Sequence, residues 1–195
     1  GAGLDLKEEN EADERKRDWL QTPSIPKIML ASNKPFVAAV PGAAIGIGFE
    51  IAMLCDYRIG SIEAKMGDRH VSMGLVQDCG AMITVPRTVG WANAAKILLS
   101  GDIYEAAELL TLGILNEVVE PEELQEAARS FTRRIAVNAP LATQMTKRLL
   151  RMTETAEVDG VLAYAMRVMG SMVESEDSKE ALTAFMEKRP PVFIG

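Results

Sequence analysis

The residues whose types and spacing are best suited to chemistry lie in one glycine-rich segment in the first third of the chain. There Gly46 and Gly48 flank Ile47, and Glu50 follows two residues later. Glycine lets the backbone approach a ligand closely, and the N–H groups at a helix start carry a positive partial charge that can hold a developing oxyanion. Glu50 is followed by four apolar residues, so its carboxylate would lie at the edge of an apolar pocket, where it could act as an acid or a base.

A purely structural role for Glu50 is equally consistent with its position. The helix dipole alone favours an acidic side chain in the first turn of a helix. Glycines in a GxG spacing occur in many turns, so they do not decide between the two roles. The local pattern leaves both interpretations of Glu50 open.

A second group of polar candidates lies in the glycine-spaced segment 65–80, which is predicted to be a loop. His70 could exchange a proton near neutral pH, or it could simply bond to the backbone. Asp78 could act as a second acid or base, or it could cap the helix that follows. Asp68 and Arg69 are expected to face solvent or to pair with each other, so they are left out of the predicted site.

A metal site is not expected. The chain has a single histidine and two cysteines, Cys55 and Cys79, and neither cysteine belongs to a CxxC motif or to a Cys/His cluster. Zinc sites of the ordinary kind combine several such residues. Both cysteines are therefore predicted to be small buried residues.

Length and charge limit the class of protein. A chain of 195 residues fits one domain, or one domain with a helical appendage. Its formal net charge of −7 offers no basic face for nucleic acid. No run approaches the ~18 apolar residues of a membrane span, and the first residues have no signal-peptide pattern. These features predict a cytoplasmic protein with no nucleic-acid or membrane partner.

Short strands and several helices are predicted around the candidate residues. A buried strand at 36–40 ends at Pro41-Gly42, a helix begins near Ile47, and a second strand follows at 57–62. The rest of the chain is mostly helical, with Gly90 separating two helices and one more strand at 114–119. The predicted helices cover 81–89, 91–99, 104–112, 122–137, 141–152, 158–173 and 177–187.

Four blocks of the sequence follow one another in an order typical of one family. They are GAGLDLKE, KPFVAAVPGAAIGIGFEIAMLCDYRI, PRTVGWANAAKILLSGDIYEAAELLTLGILNEVV and FMEKRPPVF. The second block resembles a KPxxAAVxG strand followed by a glycine-rich turn and a helix that ends in a Cys-Asp pair. Together the blocks resemble the crotonase superfamily, that is, the enoyl-CoA hydratase/isomerase family.

The resemblance implies a fold and an assembly. The fold class is α/β, a crotonase-like spiral of short ββα units over residues 1–135 with a helical oligomerisation region at 136–195. Subunits of the family form homotrimers or hexamers. Family members have several strands before the segment that the first block resembles, so the core is expected to be incomplete at its N-terminus.

The resemblance also implies a substrate. Family members bind an acyl-CoA thioester and stabilise its enolate with two backbone N–H groups, and no cofactor is expected beyond the coenzyme A of the substrate. Motif positions assign these N–H donors to Leu4 and Ile47. Ala2, Gly46 and Lys188 are expected to contact the substrate or its CoA, with Lys188 reaching a CoA phosphate.

The acid and base residues follow from the same motifs. Glu50 matches the first of two glutamates with which hydratases of the family activate water. His70, in MGDRH, stands at the position of the second glutamate. Asp78 stands where many hydratases have glycine, and it matches an aspartate of the dienoyl-CoA isomerase and chlorobenzoyl-CoA dehalogenase branches. The predicted catalytic residues are therefore Glu50, His70 and Asp78.

The sequence leaves the reaction open among several classes. Glu50 and His70 could hold a water for addition to a C=C bond, whereas Asp78 and Glu50 could move a proton along the acyl chain in an isomerase. Hydrolysis of a CoA thioester or of a β-diketone is a third enzymatic alternative. A non-catalytic member, kept for acyl-CoA binding or as an oligomeric scaffold, is the alternative from another class.

Overall fold

The computed structural model describes residues 25–153 and 156–195, and the predictions for Ala2 and Leu4 lie outside these ranges. The described residues form eight α-helices and six short β-strands. In chain order they are α1 (Ile25–Ala31), β1 (Val37–Val40), β2 (Ala43–Ile45), α2 (Ile47–Leu54), β3 (Tyr57–Ser61), β4 (Lys65–Gly67), α3 (Ala81–Ser100), β5 (Tyr104–Glu105), α4 (Ala106–Thr111), β6 (Glu117–Val119), α5 (Leu124–Ala136), α6 (Pro140–Met152), α7 (Val158–Val173) and α8 (Glu176–Glu187).

The strands pair into two small sheets. One sheet has the order β1-β3-β6, and both of its strand pairs are parallel. The other has the order β2-β4-β5, in which β4 runs parallel to β2 and antiparallel to β5. Within this second sheet Ile45 is paired with Gly67, so β2 and β4 end side by side.

The chain divides into two compact units, of which the first contains residues 25–32 and 36–128. Its core is apolar and buried, and within it α2 packs on both α3 and β2. Phe49 and Leu54 of α2 are fully buried there. The largest other fully buried apolar side chains of this unit are Ile59, Met66, Val85, Ile97, Leu109, Ile114, Leu115 and Leu124.

The second unit consists of residues 33–35 and 129–195. In it α6 packs on α7, and α7 on α8. Pro140 begins α6, where a proline costs no helical hydrogen bond. Lys147 of α6 is buried, and its ammonium group donates a hydrogen bond of 2.6 Å to the Lys34 carbonyl oxygen. The boundary predicted after residue 135 falls inside α5.

Most of the longer elements agree with the sequence-based prediction. Strands β1 and β3 and helices α5 to α8 begin and end within two residues of the predicted bounds. Gly90 interrupts α3 with a non-helical backbone (φ 75°, ψ 165°), which confirms the predicted break. Four short elements were not predicted: the helix α1 and the strands β2, β4 and β5, the last of which occupies the first two residues of the helix predicted at 104–112. The described helices include none long and apolar enough to cross a membrane.

Gly67 is the last residue of β4, directly before the segment that contains Asp68 and His70. A side chain does not fit at this position. A Cβ atom built on Gly67 would overlap the backbone oxygen of Asp102 and come within 3.0 Å of the Ile103 Cα. Backbone atoms cannot rotate away as a flexible side chain can. The close approach of the two segments therefore requires glycine.

We expect Gly67→Ala to lower the free energy of unfolding by about 2 kcal/mol, as is usual for overpacking a tight site. Gly42→Ala is the matched control in the same unit, because nothing lies within 4 Å of a Cβ at Gly42. Urea unfolding followed by circular dichroism measures both variants. Equal stability of Gly67→Ala and Gly42→Ala would contradict the steric argument.

Candidate active site

Two paired strands bring the candidate residues together. The chain leaves β2 through Gly46 into α2, and it leaves β4 through Asp68 toward His70. Because these strands are parallel and in register, the two outgoing segments start side by side. The Gly46 N–H donates a hydrogen bond of 3.1 Å to the Gly67 carbonyl oxygen, which joins the two segments just beyond the strands.

Glu50 is fully buried, and its two carboxylate oxygens have different surroundings. Oε2 accepts hydrogen bonds of 2.8 Å from the backbone N–H groups of Cys79 and Ala81. Ala81 is the first residue of α3, so the carboxylate caps the N-terminus of that helix. Oε1 is buried without a hydrogen-bond partner among the described residues.

Burial raises the pKa of Glu50, because the ionised carboxylate has left water. The Ala81 N–H opposes this effect and lowers the pKa. The nearby negative charge of Asp68 raises the pKa further. Smaller contributions from the Cys79 N–H and from His70 also lower the pKa. The net result is a carboxyl group that takes up a proton more readily than an exposed glutamate.

His70 lies next to Glu50. Its Nδ1 atom is 2.8 Å from Asp68 Oδ1 and 3.8 Å from Glu50 Oε1. The imidazole is partly buried, with 13% of the side chain exposed, so it remains within reach of a ligand. Its Cε1 atom is 3.8 Å from the point where a Cβ of Gly46 would lie, which places the ring against the glycine-rich turn.

The expectation that Asp68 faces solvent or pairs with Arg69 is wrong. Asp68 is fully buried, and its Oδ1 accepts hydrogen bonds from the His70 N–H at 2.9 Å and from Gln77 Nε2 at 3.3 Å, in addition to the His70 ring contact. Arg69 is exposed. Asp68 follows directly on the buried end of β4, which turns its side chain inward, and its burial next to Glu50 could not be read from the loop-like sequence.

Asp78 does not join this cluster. It is exposed, whereas the next residue, Cys79, is buried and presents its N–H to Glu50. The helix cap that was considered for Asp78 is provided instead by Glu50. The structure thus brings Glu50 and His70 together, adds Asp68, and leaves Asp78 at the surface of this unit.

The glycine-rich turn has the geometry expected of a backbone anion site. Gly46 has φ 57° and ψ −122°, a conformation that only glycine adopts readily. Ile47 is the first residue of α2, and the first N–H groups of a helix have no acceptor within the helix. The predicted donor Ile47 and the predicted contact Gly46 therefore lie at a helix N-terminus, beside the His70 ring.

The remaining predicted contacts are remote from this cluster in the sequence. Ala2 and Leu4 lie outside the described residues. Lys188 ends α8 in a left-handed conformation (φ 56°), and its side chain is exposed. It belongs to the second unit.

Glu50, Asp68 and His70 are the group of described residues that could ligate a metal, with one donor atom from each within 4.8 Å of the others. The 2.8 Å hydrogen bond between His70 Nδ1 and Asp68 Oδ1 already engages two of the facing atoms. Within the cluster, hydrogen bonds join Asp68 to His70, whereas Glu50 is held by the N–H groups of Cys79 and Ala81. Burial raises the pKa of the neighbouring Cys79 thiol to about 11, so this thiol is a weaker acid than an exposed cysteine.

Comparisons with known proteins find relatives over most of this chain. A family model described as enoyl-CoA hydratase/isomerase matches residues 1–195. The short-chain-enoyl-CoA hydratase of Clostridium acetobutylicum is 36% identical over 191 residues, which cover 96% of this chain and 73% of that protein. The (E)-benzylidenesuccinyl-CoA hydratase of Thauera aromatica is 38% identical over 162 residues, which cover 83% of this chain and 63% of that protein. The chain thus spans 63% to 73% of the length of these two relatives.

A solved structure has the same fold as this chain. That of an enoyl-CoA hydratase subunit from Geobacillus kaustophilus matches with a TM-score of 0.89 and 31% identity, and the match covers 100% of this chain and 76% of that one. The α/β fold class predicted from the sequence is therefore confirmed.

The raised pKa of Glu50 has a measurable consequence for stability. Because the pKa is higher in the folded than in the unfolded chain, Glu50 favours folding below its ordinary pKa, and this contribution is lost as the pH rises through the folded value. Glu50→Gln removes the buried charge and keeps a carbonyl oxygen for the two N–H donors. We expect this variant to be more stable than the unchanged protein at neutral pH, by a margin that shrinks in mildly acidic solution.

Urea unfolding at neutral and at mildly acidic pH measures this difference. Glu63→Gln is the control, because Glu63 is exposed and the same substitution there removes no buried charge. A Glu50→Gln variant that is less stable at neutral pH would show that the N–H donors outweigh the cost of burying the carboxylate.

Proposed function

The chain belongs to the enoyl-CoA hydratase/isomerase family, and we propose that it adds water across the C2–C3 double bond of an enoyl-CoA thioester. The observation that carries this proposal is the buried Glu50 carboxylate, which has one oxygen held by two backbone N–H groups and the other without a partner beside His70. A fixed carboxylate with one unused oxygen is suited to hold a water molecule. Both relatives described above are named hydratases.

In the proposed reaction Glu50 and His70 hold the water between them. The water oxygen bonds to C3, the π electrons of the C2–C3 bond move toward the thioester carbonyl, and the enolate collapses as C2 takes up a proton. One proton passes from water to the pair, and one passes from the pair to C2, so the pair returns to its starting state. The raised pKa of Glu50 makes its carboxylate a better proton acceptor than an exposed one, and an imidazole can both accept and donate a proton.

The enolate oxygen needs hydrogen-bond donors that are in place before the reaction. We propose the Ile47 N–H as one donor, because it lies at the start of α2, where the helix dipole also favours negative charge. Leu4 is the second proposed donor on the resemblance alone. A backbone donor does not depend on its side chain, so isoleucine at position 47 is compatible with the role of Ile47. In this proposal the Ile47 side chain narrows the acyl pocket.

The alternatives receive less support from the geometry. A proton shuttle between Asp78 and Glu50 would need both carboxylates in one pocket, but Asp78 is exposed and Glu50 is buried. Hydrolysis of a thioester remains a second candidate, because His70 and Asp68 form the hydrogen-bonded pair that could activate a water. A non-catalytic scaffold gives no reason for a buried carboxylate with an unused oxygen.

We expect the protein to convert crotonyl-CoA to 3-hydroxybutyryl-CoA, and Glu50→Gln and His70→Gln each to reduce kcat by about 10²- to 10⁴-fold, as for loss of an acid–base group. Product analysis by liquid chromatography and mass spectrometry measures the conversion. The exposed control Glu63→Gln should leave it unchanged.

The products separate the alternatives. Asp78→Asn should retain hydration, and a loss as large as that of Glu50→Gln would instead favour the proton shuttle, as would turnover of a 3,5-dienoyl-CoA without water addition. Release of free CoA would indicate hydrolysis. If none of these substrates is turned over, the proposed function is wrong.

We further propose that subunits assemble as homotrimers or hexamers through the second unit. Its helix α7 carries an exposed apolar stripe, in which every side chain is more than half exposed; the stripe comprises Val158, Leu162, Met166, Met169 and Val173. The spacing of these residues places them on one helix face. Such a patch on a single chain is typical of a surface that is covered in an assembly.

We expect the unchanged protein to elute with the mass of three or six chains, and Met166→Glu to shift it toward a single chain, since a charge in the apolar stripe opposes burial. Size-exclusion chromatography with light scattering measures the mass. Ala163→Glu, which adds the same charge to an exposed position away from the stripe, is the control. A monomeric unchanged protein, or equal masses for the two variants, would argue against the stripe as an interface.

The proposed reaction requires no cofactor beyond the CoA of the substrate, with Ala2, Gly46 and Lys188 as proposed contacts to substrate or CoA. A cytoplasmic location likewise stays a proposal from the sequence. The proposed acid–base chemistry of Glu50 and His70 depends neither on these contacts nor on the location of the protein.

A further inference from the structure

We propose that Asp68 is a positioning residue that holds His70 as the tautomer with its proton on Nδ1, so that Nε2 is the nitrogen that exchanges a proton in the active site. The role of His70 in turnover rests on the proposed function, whereas its tautomer does not. Nothing in the sequence pattern assigned a function to Asp68.

The first support is the pair of hydrogen bonds that Asp68 makes to one residue. Its Oδ1 accepts from the His70 backbone N–H at 2.9 Å and lies 2.8 Å from His70 Nδ1. The first bond closes a local turn of the kind that aspartate makes with the backbone two residues on. The second orients the ring, so both the position and the rotation of the imidazole depend on one carboxylate oxygen.

The second support is the direction of the ring hydrogen bond. Oδ1 also accepts from Gln77 Nε2 at 3.3 Å. The His70 backbone N–H and the Gln77 amide nitrogen can only donate, so Oδ1 is the acceptor in both bonds. An oxygen that already accepts from two N–H groups is placed as an acceptor, so we infer that Nδ1 is the donor of the ring hydrogen bond. The other nearby carboxylate oxygen, Glu50 Oε1, is 3.8 Å from Nδ1 and too distant for a hydrogen bond. Asp68 therefore selects the tautomer.

The third support is the freedom of the other ring nitrogen. Among residues 25–153 and 156–195, none makes a hydrogen bond to Nε2. The adjacent Cε1 atom lies against the Gly46 turn, beside the start of α2. When Nδ1 carries the proton, neutral imidazole has its lone pair on Nε2, where it can accept a proton from water. In the opposite tautomer, Nε2 would be a donor and could not act as a base.

The single histidine of the chain makes this proposal directly measurable. Nitrogen-15 NMR of protein labelled in the histidine ring resolves the two ring nitrogens without assignment work. For the unchanged protein in mildly alkaline solution, we expect a protonated, pyrrole-type signal at Nδ1 and an unprotonated, pyridine-type signal at Nε2. The opposite pattern would overturn the proposal, whatever the activity of the protein.

Variants of Asp68 test the link to turnover. Asp68→Asn keeps the shape and a carbonyl acceptor, whereas Asp68→Ala removes the acceptor. We expect the Nδ1–H tautomer to persist in Asp68→Asn and to give way to Nε2–H in Asp68→Ala. We also expect kcat for hydration of crotonyl-CoA to fall by about 10- to 100-fold in Asp68→Ala and by less in Asp68→Asn, with KM nearly unchanged, because the acid–base group itself is still present.

The controls separate this proposal from the proposed function. Asp102→Asn, the same substitution at an exposed aspartate, should change neither the NMR signals nor kcat. An Nδ1–H tautomer that survives in Asp68→Ala, or an unchanged kcat in that variant, would refute the positioning role. If Asp68→Ala does not fold, the tautomer of the unchanged protein and the kcat of Asp68→Asn still test the positioning role of Asp68. If the unchanged protein does not hydrate any enoyl-CoA, the proposed function fails, and the NMR result alone judges the role of Asp68.

Discussion

The structure of the first unit depends on one buried interaction, the hydrogen bonds from the start of α3 to the carboxylate of Glu50. An ionised carboxylate in an apolar core is costly unless donors replace the water it has lost. Cys79 and Ala81 provide two backbone donors, and the α3 dipole adds a favourable potential at the same place. The same contact caps the helix, so a single carboxylate links the start of α3 to the candidate site. Only one oxygen accepts these bonds, and the other has no hydrogen-bond partner among the described residues.

The second constraint is the pairing of two very short strands. β2 and β4 have three residues each, yet their register fixes where the Gly46 turn and the Asp68–His70 segment leave the sheet. Gly67 permits this approach because no side chain fits between it and the backbone at Asp102. A small shift in this pairing would separate His70 from Glu50. Precise geometry at the site therefore rests on backbone contacts rather than on long elements.

The sequence predicted the features that have a strong local signal. The glycines around Ile47 and the apolar residues after Glu50 marked the start of α2, and the family motifs pointed to Glu50 and His70. By contrast, β2 and β4 are too short for a periodic pattern, and they are recognised as strands only by their pairing within the sheet. The burial of Asp68 depends on that pairing, so a Gly-Asp-Arg-His string in a loop-like segment gave no sign of it. The exposure of Asp78 follows in the same way from the path of the chain into α3, which turns the Cys79 N–H inward and the preceding side chain outward.

The anchors of Glu50 are main-chain groups, and this has a consequence for how the protein can change over evolutionary time. Substitutions at 79 and 81 alter side chains but not the N–H groups that hold the carboxylate. The segment just before them is largely exposed, from Ser72 to Val76. Substitutions in this exposed segment likewise leave in place the N–H groups that hold the carboxylate. The side chains around Glu50 can therefore change over evolutionary time while the position of its carboxylate is preserved.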